Sequence, residues 1–473
     1  MLVSEEKMLD FGPLFQQLRQ RSEQLRTSTA LQRIEKLKAL KAAVAAHESE
    51  LEAAMFADFK KPALEVQLTE LGPFYMEVKH FVDSLHRWMK PVSVSSSFPF
   101  WLGKSQIRYE SKGVVLIIAP WNYPFNLAMT PLIAALAAGN AVVIKPSEFT
   151  PATSEVIRKI IAAVFPPDEV SVMTGDAEVA KTLLQQPFHH IFFTGSTAVG
   201  KEVMRAAANH LSGITLELGG KSPAIIDESA DLKATAEKLV WGKLLNAGQT
   251  CIAPDYVLAN QDMIPVISQK LKEALETMYG NDGKAHADFP ALVSRRHFDR
   301  MQRLVRDAVA KGAEVVYGGQ GDTESLRFQP TILSKVTDDM LVMQEEIFGP
   351  VLPIVGIGHS ADAIRYINEH DKPLALYIFS NNNYKTEQIL QQTSSGGSCV
   401  NDLVVHIANP NLPFGGVNHS GTGSYHGQYG FKAFSHERSV FYQFKRFNLN
   451  KMLYPPYNGR KSTIVKWLVK FMK

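Results

Sequence analysis

The chain has 473 residues but only two cysteines, Cys251 and Cys399, so no disulfide framework can hold it together. That scarcity points to a reducing compartment. No run of about 18 apolar residues occurs, which excludes a conventional membrane-spanning helix. The first twenty residues carry Glu5, Glu6 and Asp10 and lack an unbroken apolar stretch, so they do not read as a signal peptide. Charge of one sign does not dominate either. Fifty Lys and Arg face 47 Asp and Glu, a formal net charge of +3, which gives no reason to expect nucleic acid as a partner. The 14 histidines show no HExxH or similar ligand spacing, and two cysteines cannot build a zinc site, so no metal is expected. These absences predict a soluble, cytoplasmic protein. One local absence differs in kind. No acid follows Glu437, whereas Arg438, Lys445, Arg446, Lys451, Arg460, Lys461, Lys466, Lys470 and Lys473 are all basic.

What is present suits a large globular chain. Hydrophobic residues make up 45% and charged ones 21%, enough apolar surface for two or three domains. The first hundred residues read as helical, with Leu31, Ile34, Leu37 and Val44 at helical spacing among charged neighbours. Residues 91–112 are rich in Ser and Pro and end in an extended RYESKG stretch, predicting an arm or hairpin. From Gly113 strands and helices alternate. GVVLIIAP, AVVIK, EVSVMTG and HHIFFTG read as strands, with an apolar helix around PLIAALAAG and a helix opened by Thr150–Pro151. A second set runs from Leu218 to Asn401: PAIID, a helix near LKATAEKLVWGKLL, then EVVYGG, VLPIVGI, LALYIFS and GSCVN. Buried apolar runs alternating with helices predict an α/β fold with two doubly wound sheets. The late SVFYQF is strand-like and is expected to pair with the 91–112 arm.

Several short segments could carry chemistry. FFTGSTAVGK (192–201) is a strand running into a turn and a helix, but Gly195 and Gly200 do not make the G-x-G-x-x-G dinucleotide fingerprint. Such a turn can bring a ligand to a helix N-terminus, or be only a tight turn. Lys145 and Glu148 follow the AVVIK strand, where open α/β sheets bind ligands and where a polar loop is equally ordinary. Cys251 closes NAGQTC (246–251) and is either a nucleophile or a small buried hydrophobe, the latter being the reading kept for Cys399. Glu217 opens ELGGKSP (217–223), as a base with a raised pKa or as a plain turn carboxylate. Asn122, within PWNYP (120–124), offers an amide donor for a developing oxyanion or a turn former. EEIFGP (345–350) and LPFGG (412–416) are either functional loops or helix ends.

Taken in order, PWNYP, KPSE, FFTGSTAVGK, ELGGKSP, GQTC, EEIFGP and LPFGG resemble the aldehyde dehydrogenase superfamily over residues 15–457. PWNYPFNL, NDLVVHIANPNLPFGGV and SYHGQYGFKAFSHERSV look like its class 3 branch. The resemblance implies a Rossmann-like cofactor domain (1–90 and 113–216), a catalytic domain (217–402) and a bridging arm (91–112 and 403–450) that joins a homodimer. It implies that Cys251 attacks an aliphatic or aromatic aldehyde, with Asn122 and the Cys251 N–H forming the oxyanion hole and Glu217 activating water. It assigns Lys145 and Glu148 to the adenosine ribose, Gly195 and Ser196 to the pyrophosphate turn, and Glu346 and Phe348 to the nicotinamide ribose and ring, with Gly200 and Leu218 also among the cofactor-binding residues. The implied cofactor is NAD, with NADP possible, since a carboxylate at Glu148 disfavours a 2′-phosphate. A glutamate at position 217 also argues against the acyl-transferring relatives, which lack it. The chain departs from the family in reading FGGVNHSG where FGGVGNSG is usual, placing Asn418 and His419 in that loop.

The tail forms a separate feature. Ile464, Trp467, Leu468 and Phe471 recur at i, i+3, i+4 and i+7, with lysines on the other faces. This predicts a short amphipathic helix over residues 459–473, too short to span a bilayer and suited either to peripheral contact with an anionic membrane or to packing on the body or a partner subunit.

Overall fold

A computed structural model describes residues 11–97, 100–280, 288–444, 451 and 454–472. Residues 1–10 of the expected cofactor domain, 98–99 of the arm, and the tail's Lys445, Arg446 and Lys473 lie outside the described residues, as does the side chain of Phe471.

The N-terminal region is helical, as its periodicity predicts: α1 (Gly12–Arg26), α2 (Ala30–Ala46), α3 (Glu48–Phe59), α4 (Ala63–Val66) and α5 (Gly72–Trp88). Thr29 and Gln32 close a reciprocal capping box at the start of α2. A π turn, Gln67–Leu71, links α4 to α5. The arm follows as β1 (Val92–Val94) and β2 (Lys104–Ser111), antiparallel to each other.

The first large sheet contains β3 (Val114–Ile118), β4 (Ala141–Lys145), β5 (Val170–Val172), β6 (His190–Thr194) and β7 (Gly213–Glu217), all parallel. The second contains β8 (Pro223–Ile226), β9 (Tyr256–Asn260) and β10 (Glu314–Tyr317). After a short hairpin of β11 (Gly321–Asp322) and β12 (Arg327–Phe328) come β13 (Thr331–Ser334), β14 (Val351–Ile357), β15 (Ala375–Phe379) and β16 (Gly397–Val400). Finally β17 (Gly421–Thr422) and β18 (Ser435–Tyr442) return to earlier parts of the chain. The strand orders are β17-β7-β6-β3-β4-β5 and β10-β13-β14-β9-β8-β15-β16. Helices α6 (Asn126–Ala138), α7 (Pro151–Val164), α8 (Ala177–Leu184), α9 (Thr197–Ala208) and α10 (Leu232–Leu244) connect the strands around the site.

Both faces of the first sheet are covered, which is why its strands read as unbroken apolar runs. One core joins α2, α3, α5, α6 and α7 to alternate residues such as Val115, Ile117, Val142 and Phe192. A second cluster sets Phe15 and Leu18 of α1 against Val114, Leu116 and Ile191 on the opposite face. The expected pairing of the late strand with the arm is present: β18 lies antiparallel to β2 from Ser435↔Ser111 to Tyr442↔Lys104.

Helix α6 starts earlier than the sequence suggested. Pro131, which local rules place at a helix start, sits inside it. The true start is fixed from a distance, because the Glu70 carboxylate accepts the Asn126 N–H at 2.8 Å. The tail forms a helix over Gly459–Met472 in which Trp467 is 62% exposed. No helix among the described residues is long and apolar enough to cross a membrane.

Candidate active site

Parallel strands aim their carboxyl ends at one edge of the sheet, and four of the expected residues lie there. Asn122 follows β3, Lys145 ends β4, Gly195 follows β6 and Glu217 ends β7. The strand order reverses at β3, which is flanked by β4 and β6, and this is where open α/β sheets bind ligands. The second sheet meets this edge with its amino ends: Cys251 lies ahead of β9, and Glu346 and Phe348 lie ahead of β14. The site is therefore the seam between the two sheets.

Cys251 is half-buried and packs against the main core. Burial, reinforced by Glu346 and then Glu217, pushes its thiol up to about 12. Glu217 is 2% exposed, and neither carboxylate oxygen has a hydrogen-bond partner among the described residues. Burial raises it well above the usual carboxylate range. Glu346 lies over Gly219, where an added Cβ would meet its carboxylate at 2.2 Å, and it accepts the Gly220 N–H. Burial and then Asp255 push Glu346 up to about 8. At neutral pH the Cys251 thiol and the Glu346 carboxyl therefore favour their uncharged forms.

Asn122 is buried, and its Nδ2 donates to the Gln249 carbonyl at 3.0 Å. An amide nitrogen carries two N–H bonds, so a second donor remains in its inventory. The loop into Cys251 is unusual: Asn246 (φ 54°), Ala247 (φ 54°) and Gly248 (φ 74°) are successively left-handed. Gly248 also lies so close to Gly349 that a Cβ would come within 2.3 Å of its carbonyl oxygen.

The expected cofactor residues come from both sides of this seam. Lys145 Nζ pairs with Glu148 at 2.7 Å. The Gly195 N–H donates to the Glu217 carbonyl at 3.0 Å, tying the turn to β7. Ser196 caps the N-terminus of α9, its hydroxyl accepting the Val199 N–H. Gly200 lets α9 approach Leu218, whose side chain would lie 2.6 Å from an added Cβ. Phe348 sets its ring edge-on to Trp121 at 5.4 Å. Turn, helix N-terminus and flanking Lys–Glu pair fit the phosphates and ribose of a dinucleotide. The departure at FGGVNHSG has a local explanation. Asn418 takes φ 56°, a left-handed conformation that asparagine tolerates better than most side chains, so the turn survives loss of glycine. His419 pairs with Asp371 at 2.9 Å.

Sequence reading passed over several neighbours. Lys243 is buried in α10, its Nζ has no partner among the described residues, and burial lowers it to about 8. It falls on the same face as Ala236, Leu239 and Val240, so a lysine at an apolar helical position was the available signal. Lys221, inside ELGGKSP, pairs with Asp255 and donates to the carbonyls of Val342 (2.9 Å) and Glu345 (3.0 Å). Arg300 donates to the Ile347 carbonyl at 2.5 Å and to that of Glu346. Together they fasten the EEIFGP loop to the site.

The arrangement supplies a thiol, a desolvated carboxylate, an amide donor and a glycine turn at a helix N-terminus, parts suited to the covalent oxidation of a carbonyl compound. The chain belongs to the aldehyde dehydrogenase family, whose model matches residues 10–440. Within that family it is 47% identical over 437 residues to a putative aldehyde dehydrogenase, AldX, of Bacillus subtilis (92% of this chain, 98% of that one). It is 41% identical over 438 residues to mouse aldehyde dehydrogenase family 3 member A2 (92% and 90%), in line with the class 3 likeness. It superposes on the substrate-bound state of Staphylococcus aureus AldH with a TM-score of 0.93 and 39% identity, covering 98% and 99% of the two chains. Other solved neighbours are NAD+ complexes of aldehyde dehydrogenases, which supports use of a nicotinamide cofactor.

Proposed function

We propose that the chain is an NAD(P)-dependent aldehyde dehydrogenase that converts aliphatic or aromatic aldehydes to carboxylic acids, with Cys251 as nucleophile and Glu217 as general base. The observation that carries this reading is the buried, unpartnered Glu217 carboxylate, close enough to Cys251 for its charge to raise the thiol. A carboxylate left without protein partners in a dry site is one kept for water or substrate.

In this reading the Cys251 thiol gives up its proton to solvent, its Sγ then bonds to the aldehyde carbon as the C=O π bond breaks, and the resulting oxyanion is met by the Asn122 amide and the Cys251 N–H. A bound nicotinamide nucleotide would supply the two-electron oxidation of that adduct. Lys145 and Glu148 would hold its adenosine ribose, Gly195, Ser196, Gly200 and Leu218 would border its pyrophosphate, and Glu346 and Phe348 would border the nicotinamide end. Once the adduct is a thioester, Glu217 takes a proton from water as the water oxygen bonds to the acyl carbon. The C–S bond then breaks, the acid leaves and the thiolate is restored. Glu148 favours NAD over NADP. The hydrolytic role for Glu217 weighs against acyl transfer to a carrier thiol, and the full set of groups weighs against a silent scaffold.

In the same reading residues 1–90 and 113–216 hold the nucleotide and 217–402 supply the thiol, in a reducing compartment. The three-stranded arm joins two copies of the chain, since its outer strand leaves Phe441 and Tyr442 exposed. The tail helix rests on an anionic membrane surface. The deciding experiment follows reduced-nucleotide absorbance with a panel of aldehydes and both nucleotides. Production of reduced nucleotide is expected, and its absence in every combination defeats the reading.

A further inference from the structure

A short stretch of chain far from the site in sequence, residues 61–70, touches both of its walls. Lys61 and Glu70 are each 0% exposed and pair at 2.9 Å. The second Glu70 oxygen accepts the Asn126 N–H, just beyond the PWNYP wall that carries Asn122. Lys61 Nζ sits 4.1 Å from the ring centre of Tyr123, and the Tyr123 hydroxyl bonds Thr250 Oγ1 at 2.6 Å, next to the nucleophile. On the other wall, Glu65 accepts the backbone N–H of Asn246 at 2.5 Å. Residues five apart on a regular α-helix diverge by about 140° around the axis. The intervening π turn changes that spacing and lets Glu65 and Glu70 serve neighbouring walls from one segment.

Asn246 opens the left-handed run that leads to Cys251, and Ala247 continues it in a conformation that an alanine adopts only when its surroundings impose it. A fully buried ion pair contributes little net stability compared with apolar side chains of like volume. Its position here is better explained by orientation than by strength.

We propose that Glu65 is a positioning residue for the oxyanion hole, with the Lys61–Glu70 pair as its foundation. Glu65 holds Asn246 by its backbone, Asn246 holds the Asn122 carbonyl and the Gln249 carbonyl through its amide, and the spacing between the Asn122 amide and the Cys251 N–H follows. This rests on the assignment of the oxyanion hole made above.

The test uses the full-length enzyme in a Cys399→Ser background, so that one thiol remains. Aldehyde oxidation is measured beside alkylation of Cys251 by iodoacetamide across pH, which needs the thiolate but builds no oxyanion. For Glu65→Ala, kcat should fall about ten- to a hundredfold, since small misplacements at a reacting centre cost this much. KM should change little, and the alkylation profile should overlay that of the parent. Glu65→Gln keeps an oxygen that can accept the Asn246 N–H and should recover most of kcat. Lys61→Met/Glu70→Leu removes the pair together, takes the Lys61 countercharge away from Glu65, and should reproduce the kcat loss in a folded chain. Unchanged kcat in Glu65→Ala or in the double variant overturns the role given to that residue or pair. So does a drop in alkylation equal to the drop in oxidation, or failure of Glu65→Gln to recover activity. An inactive parent enzyme would instead defeat the functional reading itself.

Discussion

Asn122 and Asn246 donate side-chain N–H bonds to the same acceptor, the carbonyl of Gln249, at 3.0 and 3.2 Å. Asn246 also donates to the Asn122 carbonyl at 2.8 Å, so the two asparagines form one rigid unit beside Cys251. Asn122→Ala removes the amide donor, and kcat should fall about 10²- to 10³-fold, the usual loss for one oxyanion-hole donor. Steady-state kinetics with a good aldehyde will show it, and a change confined to KM would contradict the role.

Cys251→Ser should abolish turnover, because a hydroxyl in that site is a poorer nucleophile and leaving group than a thiol. Glu217→Gln should allow the first oxidation and then stall. Rapid mixing should give a burst of reduced nucleotide, and intact-protein mass spectrometry should show the acyl adduct on Cys251. Steady multiple turnover in Glu217→Gln would remove it as the base.

Glu346 gives a stability prediction with a definite sign. Its carboxyl moves from an ordinary 4.5 to about 8 in the fold, so folding favours the protonated form. That contribution is fully present below about pH 4.5 and is lost as pH rises through about 8. At about 1.4 kcal/mol per pKa unit the loss is on the order of a few kcal/mol. Glu346→Gln should flatten the fall in denaturation midpoint between about pH 5 and 8, and parallel curves for the two proteins would contradict it.

Gly248→Ala combines two faults, a left-handed backbone and a Cβ driven against the Gly349 carbonyl oxygen. Thermal or urea unfolding should show a loss of at least about 2 kcal/mol, from overpacking and backbone strain together. Wild-type stability in this variant would mean that the loop relaxes freely.

Deleting residues 459–473 should leave aldehyde turnover intact and abolish co-sedimentation with vesicles containing phosphatidylserine. Unchanged sedimentation would rule out the tail as the contact. Sedimentation equilibrium of the full chain should return the mass of two copies, and a single-copy mass would contradict the arm's joining role.

Much of this was legible in sequence because it is local. The strands of the first sheet read as apolar runs since both faces are covered, and the arm's extended stretch and SVFYQF announced themselves by composition. Asn122, Lys145, Gly195 and Glu217 sit at the carboxyl ends of strands, where parallel-sheet geometry places ligands. What escaped notice depends on distant partners. Asn126 starts a helix because of Glu70, and Lys61 is buried because of both Glu70 and Tyr123. No window of neighbouring residues contains that information. Lys243 is the exception, since its helical phase alone marked it as buried.

The two-residue strand β17 pairs with β7, Gly421 opposite Glu217, and Leu218 donates its N–H to the Ser420 carbonyl. On the ribosome, residue 217 emerges long before residue 421. Until then the strand bearing Glu217 is an open edge, able to recruit a strand from another nascent chain. The stretch of chain that begins at Gly421 thus works as a closing stitch. Chains cut short ahead of Gly421 should accumulate in inclusion bodies, however complete the catalytic motifs they already carry.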